Sequence, residues 1–222
     1  MIITLSHQKG GVGKSTLAWN LIVEYSKNRK IYVIDLDIQK TITYSIQIRK
    51  NKLGDGKTKN IILLNPRNDK EMVEMMIDIQ KSKELLIIDS GGFDSSSNRI
   101  AITGSDILLT PVSAEFYELM GLKKYSEILD KINQEVRSKN KQELIANVIL
   151  NKINPNTTDL EEMTTFVESN KNFNLMKSII RQRADYKNAP ATGNSVSEFS
   201  PNGKADVEFK NFKKELDTII ES

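Results

Sequence analysis

The chain has 222 residues, a mass of 25.2 kDa and 38% hydrophobic residues, enough for one large core and too little for two. Zero cysteines and a single histidine, His7, exclude a disulfide scaffold, a thiolate zinc site, an iron–sulfur cluster, a cysteine nucleophile and a multi-histidine metal site, and they argue against a Ser-His-Asp triad. The 32 basic and 29 acidic residues leave a formal charge of +3, so any nucleic-acid surface must be a local patch.

In chain order, residues 2–6 form a short apolar run, a predicted strand. The run is broken by Lys9 and two glycines, unlike a signal peptide. Residues 15–28 carry Leu17, Leu21, Ile22 and Tyr25 at helical spacing, with Trp19 one turn in as a packing residue. A strand follows at 31–35, a polar loop at 51–60 and a strand at 61–64. Residues 69–82 predict a helix whose Met72, Met75, Met76 and Ile79 face the core. Strands at 85–89 and 107–111 precede a helix over 115–138, marked by Leu119, Leu122, Tyr125, Ile128, Leu129 and Ile132. A strand at 146–151, a helix at 158–170, a loop at 188–204 and a helix at 206–222 complete the chain. The strands are continuous Ile, Leu and Val runs, as expected when both faces of a parallel sheet are buried. Strand–helix alternation predicts a doubly wound α/β fold, a mostly parallel sheet with helices on both faces. No run approaches the ~18 apolar residues of a spanning helix, so a cytoplasmic location is expected.

Lys9-Gly10-Gly11-Val12-Gly13-Lys14-Ser15-Thr16 lies between the first predicted strand and helix. Glycines let consecutive backbone N–H groups turn inward and approach phosphate oxygens closely. The helix N-terminus adds its positive end. Lys14 would reach the β- and γ-phosphates, and the Ser15 hydroxyl would ligate Mg²⁺. Two acidic sites stand at later strand ends. Asp35 and Asp37 share one side of an extended chain by alternation. Asp89 ends a run of four apolar residues and is followed by Gly91 and Gly92, which allow movement. Asn151 ends the sixth predicted strand with an amide that offers both donor and acceptor.

The ordinary phosphate loop has glycine where this chain has Gln8, and a second lysine, Lys9, comes next. This resembles the deviant Walker A motif, KGGxGK[ST], of the ParA/MinD family of P-loop ATPases. The resemblance covers essentially the whole chain and implies a single P-loop ATPase domain over residues 1–222. It implies ATP and Mg²⁺ as cofactors, bound by Lys9, Gly10, Gly11, Val12, Gly13, Lys14, Ser15 and Thr16, with Thr16 at the α-phosphate. Lys9 matches the lysine that braces phosphate charge on the partner's nucleotide in a homodimer. Asp35-Leu36-Asp37-Ile38-Gln39 resembles the family's DxDxQ motif, which implies that Asp37 orients the attacking water and Asp35 lies near the Mg²⁺ shell. Residues 86–92 resemble a Walker B strand and its switch loop, with Asp89 holding Mg²⁺ through water. Asn151 matches the asparagine that reads the adenine edge, and adenine would also lie against a loop near 181–185. Residues 93–96 and 105–111, including Phe93, Asp106 and Pro111, and residues 183–205 also look like small ParA proteins.

The resemblance implies two readings of function. In the ParA-type reading, ATP drives a sandwich dimer that binds DNA without sequence preference and associates with the nucleoid. A ParB-like partner then stimulates slow hydrolysis and releases it, segregating plasmid or chromosomal DNA or positioning another cargo. Lys177, Arg181, Arg183 and Lys187 form a candidate basic cluster for salt-sensitive phosphate contacts. Met1 lies close before Gln8, so the extra DNA-reading domain that longer relatives carry ahead of the loop is not expected. The alternative is a MinD-like membrane-associated positioning ATPase. The last helix has the right period, with Phe209, Phe212, Leu216, Ile219 and Ile220, but Asp217 and Glu221 dilute its basic face. A packed terminal helix is therefore expected, and no stable membrane anchoring. The absence of cysteine excludes a nitrogenase-type iron protein.

Overall fold

Seven parallel strands form one sheet in the order β3-β2-β4-β1-β5-β6-β7. They are β1 (Ile2–Leu5), β2 (Ile31–Asp35), β3 (Ile61–Leu64), β4 (Leu85–Asp89), β5 (Ile107–Val112), β6 (Ala146–Ile153) and β7 (Phe173–Arg181). The computed structural model describes residues 1–92, 94–114, 116–138, 143–157 and 159–221. Phe93, Glu115, Thr158 and Ser222, which belong to segments discussed above, lie outside the described residues.

Alternation along the strands divides the core into two layers. Ile3 and Leu5 of β1 pack with Leu17 and Leu21 of α1 (Lys14–Ser26), Ile42 of α2 (Thr41–Leu53), and Phe209, Phe212 and Leu216 of α9 (Lys204–Glu221). Ile2 points the other way, against Met72, Met76 and Ile79 of α3 (Asp69–Ser82) and Ala101 of α4 (Ser96–Thr103). On that same side of the fold, α5 (Phe116–Ser138) and α6 (Glu161–Ser169) cover β5 and β6 through Leu122, Tyr125, Leu129 and Met163. The doubly wound expectation therefore holds; of the methionine stripe, Met72 and Met76 are core and Met75 is half-buried.

Register sets the site. Leu5 pairs across with Asp89 on one side and Leu109 on the other, and Asp35 pairs with Asp89. The C-terminal ends of β1, β2 and β4 thus finish level at the centre of the sheet. Ligands in open parallel sheets bind outside such strand ends, where connections diverge.

Several elements depart from the sequence expectation. Six predicted strands are present, but β7 adds a seventh. It is an edge strand whose exposed Asn174 and Lys177 interrupt the apolar run that marks a fully buried strand. The predicted loop at 51–60 is shorter, because α2 runs through Leu53 and a 3₁₀ turn spans Asp55–Lys57. The predicted loop at 188–204 holds the end of α7 (Ala184–Ala191) and the short α8 (Val196–Phe199). Helix α2 escaped notice because only Ile42, Ser45 and Arg49 are buried along it. Helix α6 starts at Glu161 and α9 at Lys204, shifts of a few residues. No helix among the described residues is long and apolar enough to cross a membrane.

Candidate functional site

The loop from β1 to α1 wraps the N-terminus of α1. Gly11 and Gly13 have φ of +84° and +100°, values that L side chains rarely adopt. Gly13 is constrained twice, since a Cβ there would also run into the Asn151 side-chain amide. That amide donates to the Val12 carbonyl at 2.7 Å, so Asn151 braces the loop and keeps its Oδ1 as an acceptor. Lys152, itself in the left-handed region at φ 56°, donates to the Gly11 carbonyl at 2.6 Å.

Lys14 and Lys9 differ in setting. Lys14 is buried, and its ammonium donates to the Lys9 carbonyl at 3.2 Å. Burial lowers its pKa, while the Asp89, Asp37 and Glu118 carboxylates act to raise it. The Lys9 side chain is 40% exposed, and its ammonium pairs with Glu118 of α5 at 2.6 Å. The Lys9 N–H donates to His7 Nδ1 at 2.9 Å. Burial and the Lys14 and Lys9 charges push the His7 pKa down to about 3, so the ring is a neutral acceptor that ends the strand beside the loop.

The carboxylates occupy distinct positions. Asp89 is wholly buried; the Ser15 hydroxyl lies near it, but neither carboxylate oxygen is within hydrogen-bond geometry of a partner. Burial, with the Asp35 and Asp37 charges, pushes its pKa up to about 7, against the pull of the Ser15 hydroxyl and Lys14. Orphaned carboxylate oxygens at a strand tip beside a loop serine fit a divalent cation, which would satisfy them. Asp35 lies beside Asp89 in register, as expected, but its oxygens are engaged. Oδ2 accepts from the Thr43 N–H and hydroxyl, both at 2.9 Å, and Oδ1 accepts from the Asp37 N–H at 3.2 Å. Asp35 therefore also orders the loop into α2. Asp37 is half-buried and accepts from the Gln39 N–H at 2.8 Å. After β4, the chain passes so close to the loop that a Cβ on Gly92 would lie 3.0 Å from the Gly10 nitrogen. A change at the phosphate loop would thus be felt directly by the segment after Asp89.

A cavity of about 580 Å³ opens beside Thr16 and Asn151 and continues along Arg181, Gln182, Arg183 and Tyr186. Residues 181–184 of the segment named in the sequence analysis line it, together with Lys152. The four basic residues proposed for DNA do not form one free cluster. Arg183 pairs with Glu208 at 2.7 Å, and Arg181 donates to the carbonyls of Asn154 and Thr157 at 3.1 and 2.9 Å. Both line the cavity with Lys187, whereas Lys177 is exposed on β7. Sequence reasoning missed Lys152 and Glu118. Lys152 directly follows Asn151, and Glu118 sits in the first turn of the helix after β5, but only the fold carries them to the loop.

Residues 3–196 match the family described as the CobQ/CobB/MinD/ParA nucleotide binding domain. The septum site-determining protein MinD of Helicobacter pylori is 26% identical over 196 residues, 76% of this chain and 72% of that protein. A structure from Borrelia burgdorferi, described as a plasmid partition protein bound to AMPPNP, superposes with a TM-score of 0.69 at 23% identity, covering 97% of this chain and 98% of that one. MinD of Pyrococcus horikoshii, complexed with Mg-ADP, gives a TM-score of 0.69 at 17% identity, covering 99% of this chain and 96% of that one. The parallel sheet, the glycine loop at the tip of β1 and this match over most of the sequence agree: the chain belongs to the CobQ/CobB/MinD/ParA nucleotide-binding family.

Proposed function

We propose that this chain is a ParA-type ATPase that alternates between a monomer and an ATP-dependent homodimer, the dimer binding DNA without sequence preference. The observation that carries this reading is the contrast between two lysines on one loop. Lys14 is buried at the loop's own cradle, whereas Lys9 is half-exposed on its outer face. A second cation there suits a nucleotide bound by another subunit, where charge accumulates on the transferring phosphoryl group.

In this reading the amides of Gly10, Gly11 and Gly13 cradle the phosphates with Lys14, and Thr16 meets the α-phosphate. Asn151 Oδ1 would accept from the adenine amino group. Ser15 directly and Asp89 through water would hold Mg²⁺, which would supply positive charge to the phosphates. Asp37 orients a water for in-line attack on the γ-phosphorus, giving ADP and phosphate. Lys9 of each subunit steadies the other's γ-phosphate. Basal turnover is slow, and a ParB-like partner accelerates it. Lys177 and Lys187 are exposed and remain the better DNA candidates, since Arg181 and Arg183 are engaged within the subunit. The buried apolar face of α9 argues against a free membrane-binding helix.

The test is binding of the purified protein to non-specific duplex DNA and to anionic liposomes, each with ATP and with ADP, across a salt series. ATP-dependent, salt-sensitive DNA binding is expected. Liposome binding with ATP and none to DNA would replace this reading with a MinD-like one. Within the site, Lys14→Ala is expected to abolish nucleotide binding. Lys9→Ala is expected to bind ATP yet fail to dimerise; normal ATP-dependent dimerisation and hydrolysis would remove Lys9 from the role across the interface.

A further inference from the structure

We propose that Glu118 is the positioning residue of Lys9: its buried carboxylate holds the Lys9 ammonium against its own subunit, and surrender of that ammonium to the other subunit's phosphates gates dimerisation. The inference rests on the role for Lys9 proposed above and adds the group from which Lys9 must be taken.

The geometry leaves Lys9 little choice but at its tip. Its N–H is fixed on His7 at 2.9 Å and its carbonyl accepts from Lys14 at 3.2 Å. Helix α5 packs tightly on this stretch. A Cβ on Gly121 would lie 3.0 Å from His7 Cε1 and 3.7 Å from Lys9 Cβ, so the helix lies close against this stretch one turn beyond Glu118. With the Lys9 backbone held at both its N–H and its carbonyl, the side-chain torsions of Lys9 are what remain adjustable.

Glu118 is an unusual partner. Its side chain is 6% exposed, against 40% for Lys9. One oxygen binds Lys9 at 2.6 Å, and the other is buried with no partner. A carboxylate so placed has Lys9 as its hydrogen-bonded cation, with the Lys14 charge nearby and the N-terminal end of α5 helping. The pair borders a cavity of about 290 Å³ shared with Gly10, Gly11 and Lys152, on the outer face of the phosphate loop. A phosphate arriving on that face would compete with Glu118 for the same ammonium. If it wins, Glu118 is left with both oxygens unpaired, a cost that the incoming phosphate charge must offset. ATP offers the γ-phosphate charge and ADP does not, so the grip of Glu118 makes dimerisation demand ATP.

The isosteric Glu118→Gln removes the charge and keeps the shape. It should raise the competent fraction of Lys9, so the ATP dimer forms at about tenfold lower protein concentration, and some dimer appears with ADP. Two measurements test this on the full chain. The first is the rate at which the Lys9 amine of the nucleotide-free protein reacts with a limiting amine-specific reagent, read by mass spectrometry on its peptide. Several-fold faster labelling in Glu118→Gln is expected, and equal rates would overturn the proposal. The second is sedimentation of wild type and variant with a non-hydrolysable ATP analogue and with ADP. Tighter ATP dimerisation is expected; unchanged or weaker dimerisation by a variant that unfolds at the wild-type temperature and binds ADP would overturn the proposal. Glu118→Ala, with no group to hold the amine, should act in the same direction. A wild type that never dimerises with ATP would overturn the proposed function and the release step with it. The labelling would still report whether Glu118 restrains Lys9, so the two failures are distinguishable.

Discussion

A carboxylate buried without a hydrogen-bond partner opposes folding, and Asp89 is placed this way at the tip of β4. Its pKa is raised from 3.8 to about 7, mainly by burial. The folded protein therefore binds more protons at this site than the unfolded chain does between those values. A raised folded-state pKa gives stability that is full below the unfolded value and is lost as pH rises through the folded one. Asp89→Asn removes this dependence. We expect the stability of Asp89→Asn relative to wild type to grow by about 2 kcal/mol between pH 5 and pH 8, without nucleotide or Mg²⁺. Urea unfolding at the two pH values checks it; parallel curves would mean that Asp89 is not a buried, unpaired acid. The same variant should lose Mg²⁺-dependent tightening of nucleotide binding. At this scale the sequence was most legible where chemistry is local. The glycine spacing of residues 9–16 and the carboxylate after an apolar run identify themselves. The bonds of Asp35 to the Thr43 N–H and hydroxyl were not legible because those groups come from the next helix. Glu118 was invisible because its partner is 109 residues away.

Elements whose burial is continuous were legible for the same kind of reason. Strand β4 and helix α3 match their predicted bounds, each carrying an uninterrupted apolar run or stripe. Helix α2 and the segment after α7 were not, because polar side chains hold them in place. Arg49 of α2 is buried, donates to the Gly193 carbonyl at 2.7 Å, and makes a two-point pair with Glu198 of α8 at 2.7 and 2.9 Å. Ser195 and Glu198 complete a capping box on α8. Gly193 permits this seat. Its φ is +78°, and a Cβ would lie 2.7 Å from the Arg49 Cα, a backbone neighbour that cannot swing aside. Gly193→Ala thus meets both a left-handed backbone penalty and a clash. We expect a loss of about 2–4 kcal/mol, seen as a lower urea midpoint with an unchanged slope. A wild-type midpoint would show that this segment does not rest on α2 in solution.

At the scale of the molecule, strand order is the feature no local signal could give. The sheet places β1 at its centre and the last strand at an edge, so the two ends of the chain meet only through helices. Helix α9 makes that junction. Glu215 accepts from the N–H groups of Lys177 and Ser178 at 2.6 and 2.8 Å, and Glu208 accepts from the Arg181 N–H at 3.1 Å. These carboxylates bind the backbone along β7. On its other flank α9 receives the Tyr25 hydroxyl of α1 at Asp217, 2.6 Å away. Trp19, the single tryptophan, sits on α1 with 1% exposure and donates to the Asn194 carbonyl at 2.9 Å. Its fluorescence therefore reports the contact between the first helix and the C-terminal segment, while far-UV circular dichroism reports the whole sheet and all helices. If residues 1–222 fold as one unit, the two signals must lose native character together, because α9 cannot leave β7 without exposing Phe209, Phe212 and Leu216. Burying each of those side chains contributes roughly 2–3 kcal/mol, more than a terminal segment could forgo while the rest stayed intact. We expect coincident urea transitions by both probes. A fluorescence transition at clearly lower urea would instead mean that the segment after β7 detaches first, taking Arg183, Tyr186 and Lys187 away from the cavity beside Thr16 and Asn151 before the glycine loop unfolds.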